Sequence, residues 1–252
     1  MKWVLAAILV LVLGAGAGVA LFPMSTAAGF VEKQFPEFRF TSATGSVWDG
    51  KLTQVAVGQQ ALGDLSVRIK PDKLIGGRAA AKLGMSRPNI SGEGDFSYSL
   101  SGGKMELENI KLAGKTAAIV GLPPTMRHAD GQFTVEVSDI VLADNVCQSA
   151  KGEAWTNVLT RLDLKTGWKG PELRGPVTCK DGRITMQTSG LGPTGETVSA
   201  DITVGRNLSL GLVARVSDPF PTSGDTLTSL GFVPEDGGYV LRREIGGQPR
   251  AQ

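Results

Sequence analysis

Two regimes of apolar positions divide the chain. Residues 3–22 are apolar and uncharged, a run of about 20, the length of a bilayer-spanning helix. Further on, apolar residues alternate with polar ones, the period of a half-buried strand. Leu65, Val67 and Ile69 alternate with Ser66, Arg68 and Lys70. Residues 133–137, 201–204 and 208–212 follow the same rule, the last after a turn at Gly205-Arg206-Asn207. Helical spacing is rare and short. Phe30, Val31, Gln34 and Phe35 line one face of a helix that Pro36 ends, and residues 116–122 hold a turn or two before Pro123-Pro124. Residues 224–230 form a short helix stopped by Gly231, the usual residue just past a helix end.

One local pattern recurs. Asp49-Gly50, Gly102-Gly103, Asp130-Gly131 and Asp181-Gly182 are each followed by a long polar residue, an apolar residue and a polar one. Such dipeptides suit tight hairpin turns whose central residues need positive φ. Residues 45–54 and 175–187 therefore read as two copies of one hairpin. The predicted fold is all-β: an antiparallel, β-rich domain of repeated hairpins with few short helices, preceded by one N-terminal transmembrane helix. Its parts are a cytoplasmic N-terminus and anchor over residues 1–22 and a β-rich domain over 23–245. That domain splits into similar halves, roughly 36–125 and 126–245. Residues 246–252 form a polar, disordered tail.

Composition agrees. The chain has 252 residues, enough for one large domain or two small ones. Its 34 glycines are nearly twice the typical ~7% and show no collagen period, as many tight turns require. A net charge of +2 gives no basic stripe for nucleic acid.

Lys2 is the only charged side chain ahead of the apolar run, so the remainder lies outside the cytoplasm. A cleaved signal peptide is the rival reading, with Ala15-Gly16-Ala17 as its cleavage site. The run continues past that site to Phe22, longer than a signal core of ~7–15 residues, which favours a retained anchor. Either reading exports the rest. In an oxidising compartment Cys147 and Cys179, the chain's two cysteines, form a disulfide, the alternative being two buried free thiols. A zinc site would need two further ligands, and the chain offers a single histidine, His128, and no acidic cluster near either cysteine.

Residues with catalytic chemistry are sparse. There is no Gly-x-Ser-x-Gly nucleophile elbow and no phosphate-cradling loop. Glu93 and Asp95 each follow a glycine and suit a hairpin edge, while Asp49, Asp130, Asp181 and Asp236 each precede glycine as turn formers. Trp48, Trp155 and Trp168 fill a sheet core, or else form a partner or lipid surface. The expectation is a protein that is not an enzyme, with no cofactor, metal or small-molecule substrate.

Taken in order, several motifs resemble the type II secretion system protein N family. Thr44-Gly45-Ser46-Val47-Trp48-Asp49-Gly50 is similar to its Gly-Thr-x-Trp-Asn-Gly signature, with Ser46 for threonine and Asp49 for asparagine. Leu62-Gly63-Asp64-Leu65 leads to Pro71 and Leu74 as in the family, with Val67 where many relatives have tryptophan. Cys147, Ala150 and Gly152 match Cys-x-x-Ala-x-Gly. Gly170, Pro171, Leu173, Gly175, Cys179, Asp181 and Gly182 match the second cysteine block, and Leu230-Gly231-Phe232 with Asp236, Gly237 and Tyr239 the C-terminal end. The resemblance implies a non-enzymatic, single-pass inner-membrane accessory of the machine that exports folded proteins across the outer membrane. It implies a periplasmic domain, other secretion components as partners, and a structural Cys147–Cys179 disulfide. The alternative function is an anchored β-groove protein that binds or transfers lipid. That groove would need apolar residues on both strand faces, whereas residues 65–70 alternate.

Overall fold

The computed structural model describes residues 22–34, 38–57, 60–99, 101–119, 122–144, 146–162, 168–205, 209–219 and 223–245. The predicted anchor and the polar tail lie outside these residues, save Phe22. Among the described residues no helix is long and apolar enough to cross a membrane. The protein is all-β, with fifteen strands and a few short helices among the described residues. It divides into two compact units, Met1–Arg87 and Pro88–Gln252. Residues 45–54 fall in the first unit and residues 175–187 in the second.

The first unit opens with helix α1 (Met24–Gln34), followed by β1 (Phe38–Arg39), β2 (Ser42–Gly45), β3 (Asp49–Val57) and β4 (Gln60–Ile69). Helix α2 (Pro71–Ile75) and β5 (Arg78–Arg87) complete it. Pro71 sits in the first turn of α2, where its missing N–H is not needed. The antiparallel order is β1-β3-β4-β5, and β2 pairs with the other end of β3, from Ser42↔Thr53 to Gly45↔Gly50. Alternation in β4 points Leu65 and Val67 at a core of Met24, Ala28, Leu52 and Val55. The opposite face carries Arg68, paired with Asp49 at 3.1 Å. A β-bulge interrupts the β3–β4 register around Gln54, which adopts φ 51°.

The second unit is a longer antiparallel sheet. Its elements begin with β6 (Ile90–Ser99), β7 (Lys104–Lys115), a 3-10 turn (Thr116–Ala118) and α3 (Pro124–Arg127). Next come β8 (Gln132–Ala143), β9 (Val146–Thr156), a second 3-10 turn (Val158–Arg161), β10 (Leu173–Lys180), β11 (Arg183–Leu191), β12 (Thr197–Val204) and β13 (Leu210–Ser217). Helix α4 (Gly224–Ser229), β14 (Val233–Glu235) and β15 (Gly238–Ile245) close the unit. From β6 to β13 each strand lies beside its predecessor; β15 then pairs with β13, and β14 forms the edge.

Register gathers the buried apolar residues of β12, β13 and β15 on one face. Val198 lies opposite Val216, Ala200 opposite Ala214, and Ala214 opposite Leu241. That patch packs with Leu227, Leu230 and Phe232 around α4, and with Met126, Leu159, Leu162 and Trp168. The other face is polar: Asp201 accepts from Gln187 at 3.3 Å and pairs with Arg215 at 3.5 Å. A second cluster, Val137, Ile140, Cys147, Ala154 and Val177, lies farther along the sheet.

Helix α4 ends as its sequence predicts. Gly231 adopts φ 88°, Phe232 N–H reaches Leu227 C=O at 3.0 Å and Gly231 N–H reaches Thr228 C=O at 2.9 Å. These paired bonds close the last carbonyls, and Phe232 packs with Leu227 beneath them.

Turn dipeptides divide by mechanism. Asp181 and Gly182, at φ 51° and 71°, form the two-residue β10–β11 turn that their sequence announces. Asp49-Gly50 instead begins β3; the turn lies before it, with Gly45 at φ 83° and Ser46 N–H bonded to Asp49 C=O at 3.1 Å. Asp130-Gly131 ends the α3 connection, and a Cβ on Gly131 would sit 2.7 Å from Val158 Cα. In these last two pairs the glycine supplies room for a distant neighbour.

Candidate functional site

The motif around Trp48 receives the chain where it leaves the apolar run. Val47 N–H donates to Phe22 C=O at 3.0 Å, and Pro23 forms a β-bridge with Ser46. Trp48 C=O accepts from Ile69 N–H at 3.0 Å, so the β2–β3 hairpin is tied to the end of β4. Gly50 lets α1 in: a Cβ there would meet Met24 Cγ at 2.7 Å. The motif is thus a seat for the start of α1.

The face that α1 turns inward is only partly the predicted one: Val31 lines the space beneath the helix, Phe30 is exposed, and Phe35 lies outside the described residues. Met24 and Ala28 are buried, whereas Phe30 is 64% exposed and Val31 39%. The pair Met24 and Ala28 is spaced one helical turn apart on one side, and the sheet offers its apolar face there. Between α1 and that face lies an apolar pocket of about 230 Å³. Met24, Ala28 and Val31 line it from the helix, and Leu52, Leu65 and Val67 from the strands.

Across the polar face of β3 and β4, Lys51 and Asp64 pair at 2.9 Å. The Lys51 ammonium is the main cause that holds the Asp64 carboxyl below its ordinary value; the Gln54 N–H, 3.3 Å away, adds to it and desolvation opposes it.

In the second unit Cys147 and Cys179 are joined, with Cα atoms 5.6 Å apart. They connect β9 with β10, beside the Asp181-Gly182 turn, where Cys147 N–H donates to Gly182 C=O at 2.9 Å. Gly175 brings β10 against β11: a Cβ there would lie 1.9 Å from the Gln187 carbonyl oxygen.

A buried carboxylate escaped the sequence reading. Glu196, only 1% exposed, accepts from Trp168 Nε1–H at 3.3 Å and Thr194 N–H at 3.2 Å, and also from the Thr194 hydroxyl. Its context, Thr194-Gly195-Glu196-Thr197, reads as a polar turn. Trp155 differs: half-buried, it donates to Glu172 Oε2 at 3.0 Å on the surface.

The remaining candidates stay apart. His128 is exposed at the end of α3. Glu93 and Asp95 lie in β6 opposite a β-bulge in β7, where Asn109 Nδ2 donates to Asp95 at 3.3 Å. Among the described residues no three His, Cys, Asp or Glu side chains gather as metal ligands.

The profile of the family described as type II secretion system (T2SS), protein N, matches residues 36–242. The chain belongs to the type II secretion system protein N family. No curated protein and no solved structure matches it. The family match begins in the link after α1 and ends inside β15. It therefore includes the seat hairpin, both disulfide cysteines, Gly175 and Glu196. Protein N is a component of type II secretion, and membership implies interaction with other components of that system.

Proposed function

We propose that this protein is a non-enzymatic, single-pass inner-membrane accessory of the type II secretion system. Its amino terminus is cytoplasmic, residues 3–22 form a retained anchor, and the β-units lie in the periplasm, where they contact other envelope components of the system. The observation that carries the reading is the family match over residues 36–242, joined to an apolar run of anchor length that ends at Phe22, ahead of it. The seat for Phe22 and Pro23 adds support, because it takes hold of the chain as it leaves that run. The Cys147–Cys179 bond suits an oxidising compartment.

The test is a reporter fused after Gln252, together with a secretion assay in a strain lacking the protein. A periplasm-dependent reporter should be active and fractionate with the inner membrane. Cultures should retain in the periplasm the folded proteins that the system exports. Mature protein beginning near Val19 would overturn the anchor. Undiminished secretion would overturn the accessory role.

A further inference from the structure

We propose that the pocket beneath α1 takes up an acyl chain of a membrane lipid. This deepens the reading above and rests on its inner-membrane anchor.

The first argument is the lining. Every residue around the pocket is apolar, including Phe38, Val47 and Ile69 beyond those already named. Water held there would find few partners for its hydrogen bonds, so apolar matter is the favoured filling. At about 230 Å³ the space is smaller than a typical pocket for a drug-sized ligand, ~300–1,000 Å³, and suits one flexible hydrocarbon segment.

The second is the exposed apolar surface on and beside α1. Phe22 is 43% exposed, Phe30 64% and Val31 39%, three large apolar side chains on the first ten described residues. Of the three, Val31 also lines the pocket, so one wall of that space is itself partly exposed. Exposed apolar side chains in this position have the chemistry of a helix lying at a membrane boundary.

Position decides the occupant. The apolar run ends at Phe22, and α1 starts two residues later at Met24. An extended residue advances the chain by at most ~3.6 Å, so an anchored run holds the pocket mouth within a few residues' length of the bilayer. Lipid is then the most concentrated apolar matter within reach.

The full chain is reconstituted in phosphatidylcholine vesicles doped with a phosphatidylcholine that carries a diazirine midway along one acyl chain. After irradiation, lipid adducts are mapped on peptides by mass spectrometry. The expected result is adducts on residues 3–22, which report the anchor, and on Leu52, Leu65 or Val67, which report the pocket. Val67→Trp fills the space and should reduce the remaining pocket adducts at least tenfold while the anchor adducts persist. Ala27→Leu is the milder filling if the tryptophan prevents folding. Anchor adducts without pocket adducts overturn the pocket and leave the anchor standing. Pocket adducts without anchor adducts overturn the anchor instead. Pocket adducts unchanged in both filled variants, or peptide–peptide links between copies in their place, overturn the lipid as occupant.

Discussion

Trp168 Nε1–H donates to Glu196 Oε1 across 3.3 Å, inside the core that α4 covers. The carboxylate is buried, and its bonds to Trp168 and Thr194 compensate the lost water. Gly192 belongs to the same device, since a Cβ there would lie 2.1 Å from Glu196 Oε1. Glu196→Ala should lower unfolding stability by about 1–3 kcal/mol, the cost of orphaning buried polar partners, plus the cavity left behind. Trp168→Phe, which removes one donor and keeps most of the ring volume, should cost less. Urea denaturation of the variants checks the order, and equal losses would contradict it.

The disulfide offers a second measurement. Cys147 and Cys179 are 32 positions apart, and the chain-entropy account assigns a loop of that size roughly 3–4 kcal/mol. Cys147→Ser, Cys179→Ser and the double variant should lose that amount alike, because each removes the same bond. Thiol labelling of unreduced, denatured protein should find no reactive cysteine.

Close-packed glycines can be told from turn glycines by substitution. Gly175→Ala places a methyl against the Gln187 carbonyl and should destabilise by about 3 kcal/mol or more, since backbone must move. Gly102→Ala meets only the Ser99 hydroxyl, at 3.4 Å, and should change thermal stability little.

Acid sensitivity has a local contributor in the Lys51–Asp64 pair. A carboxyl held below its ordinary value stabilises the fold above the unfolded value, near ~3.9 for aspartate, and loses that effect as pH falls through the folded value. Asp64→Asn should therefore differ from the parent most at neutral pH, and the difference should shrink below about pH 4. Denaturation midpoints measured across that interval check the direction.

His128→Gln should leave secretion and protein levels unchanged. A selective loss of secretion at normal levels would show that this exposed side chain touches a partner.

How much of this was legible in sequence depends on the range of the interaction. Alternation at Leu65, Val67 and Ile69 foretold β4, and Asp181-Gly182 foretold its turn, because both are settled by a few neighbouring residues. Asp49-Gly50 looked the same and was not the turn: its glycine answers to Met24, 26 positions earlier. Helix α1 was expected from its apolar spacing, but which side would be buried depended on the sheet face it met. Glu196 was invisible for the same reason, since its partner Trp168 is 28 positions away. Such pairings leave no local period. Of the site, the signature hairpin and the cysteines were readable, and the space between α1 and the strands was not.

The neighbour-by-neighbour order of the second unit bears on how the chain is made. From β6 to β13, each strand's partner is already present when that strand emerges. Short-range pairing of this kind lowers the entropy of closing each contact, and assembly can follow the direction of synthesis. The final segment breaks the sequence. β15 must pass β14 to reach β13, and it brings Leu241 into the core beneath α4. The last strand to arrive is thus the one that seals that core, so a chain cut short before Gly238 would keep most of its ladder and lose its closure.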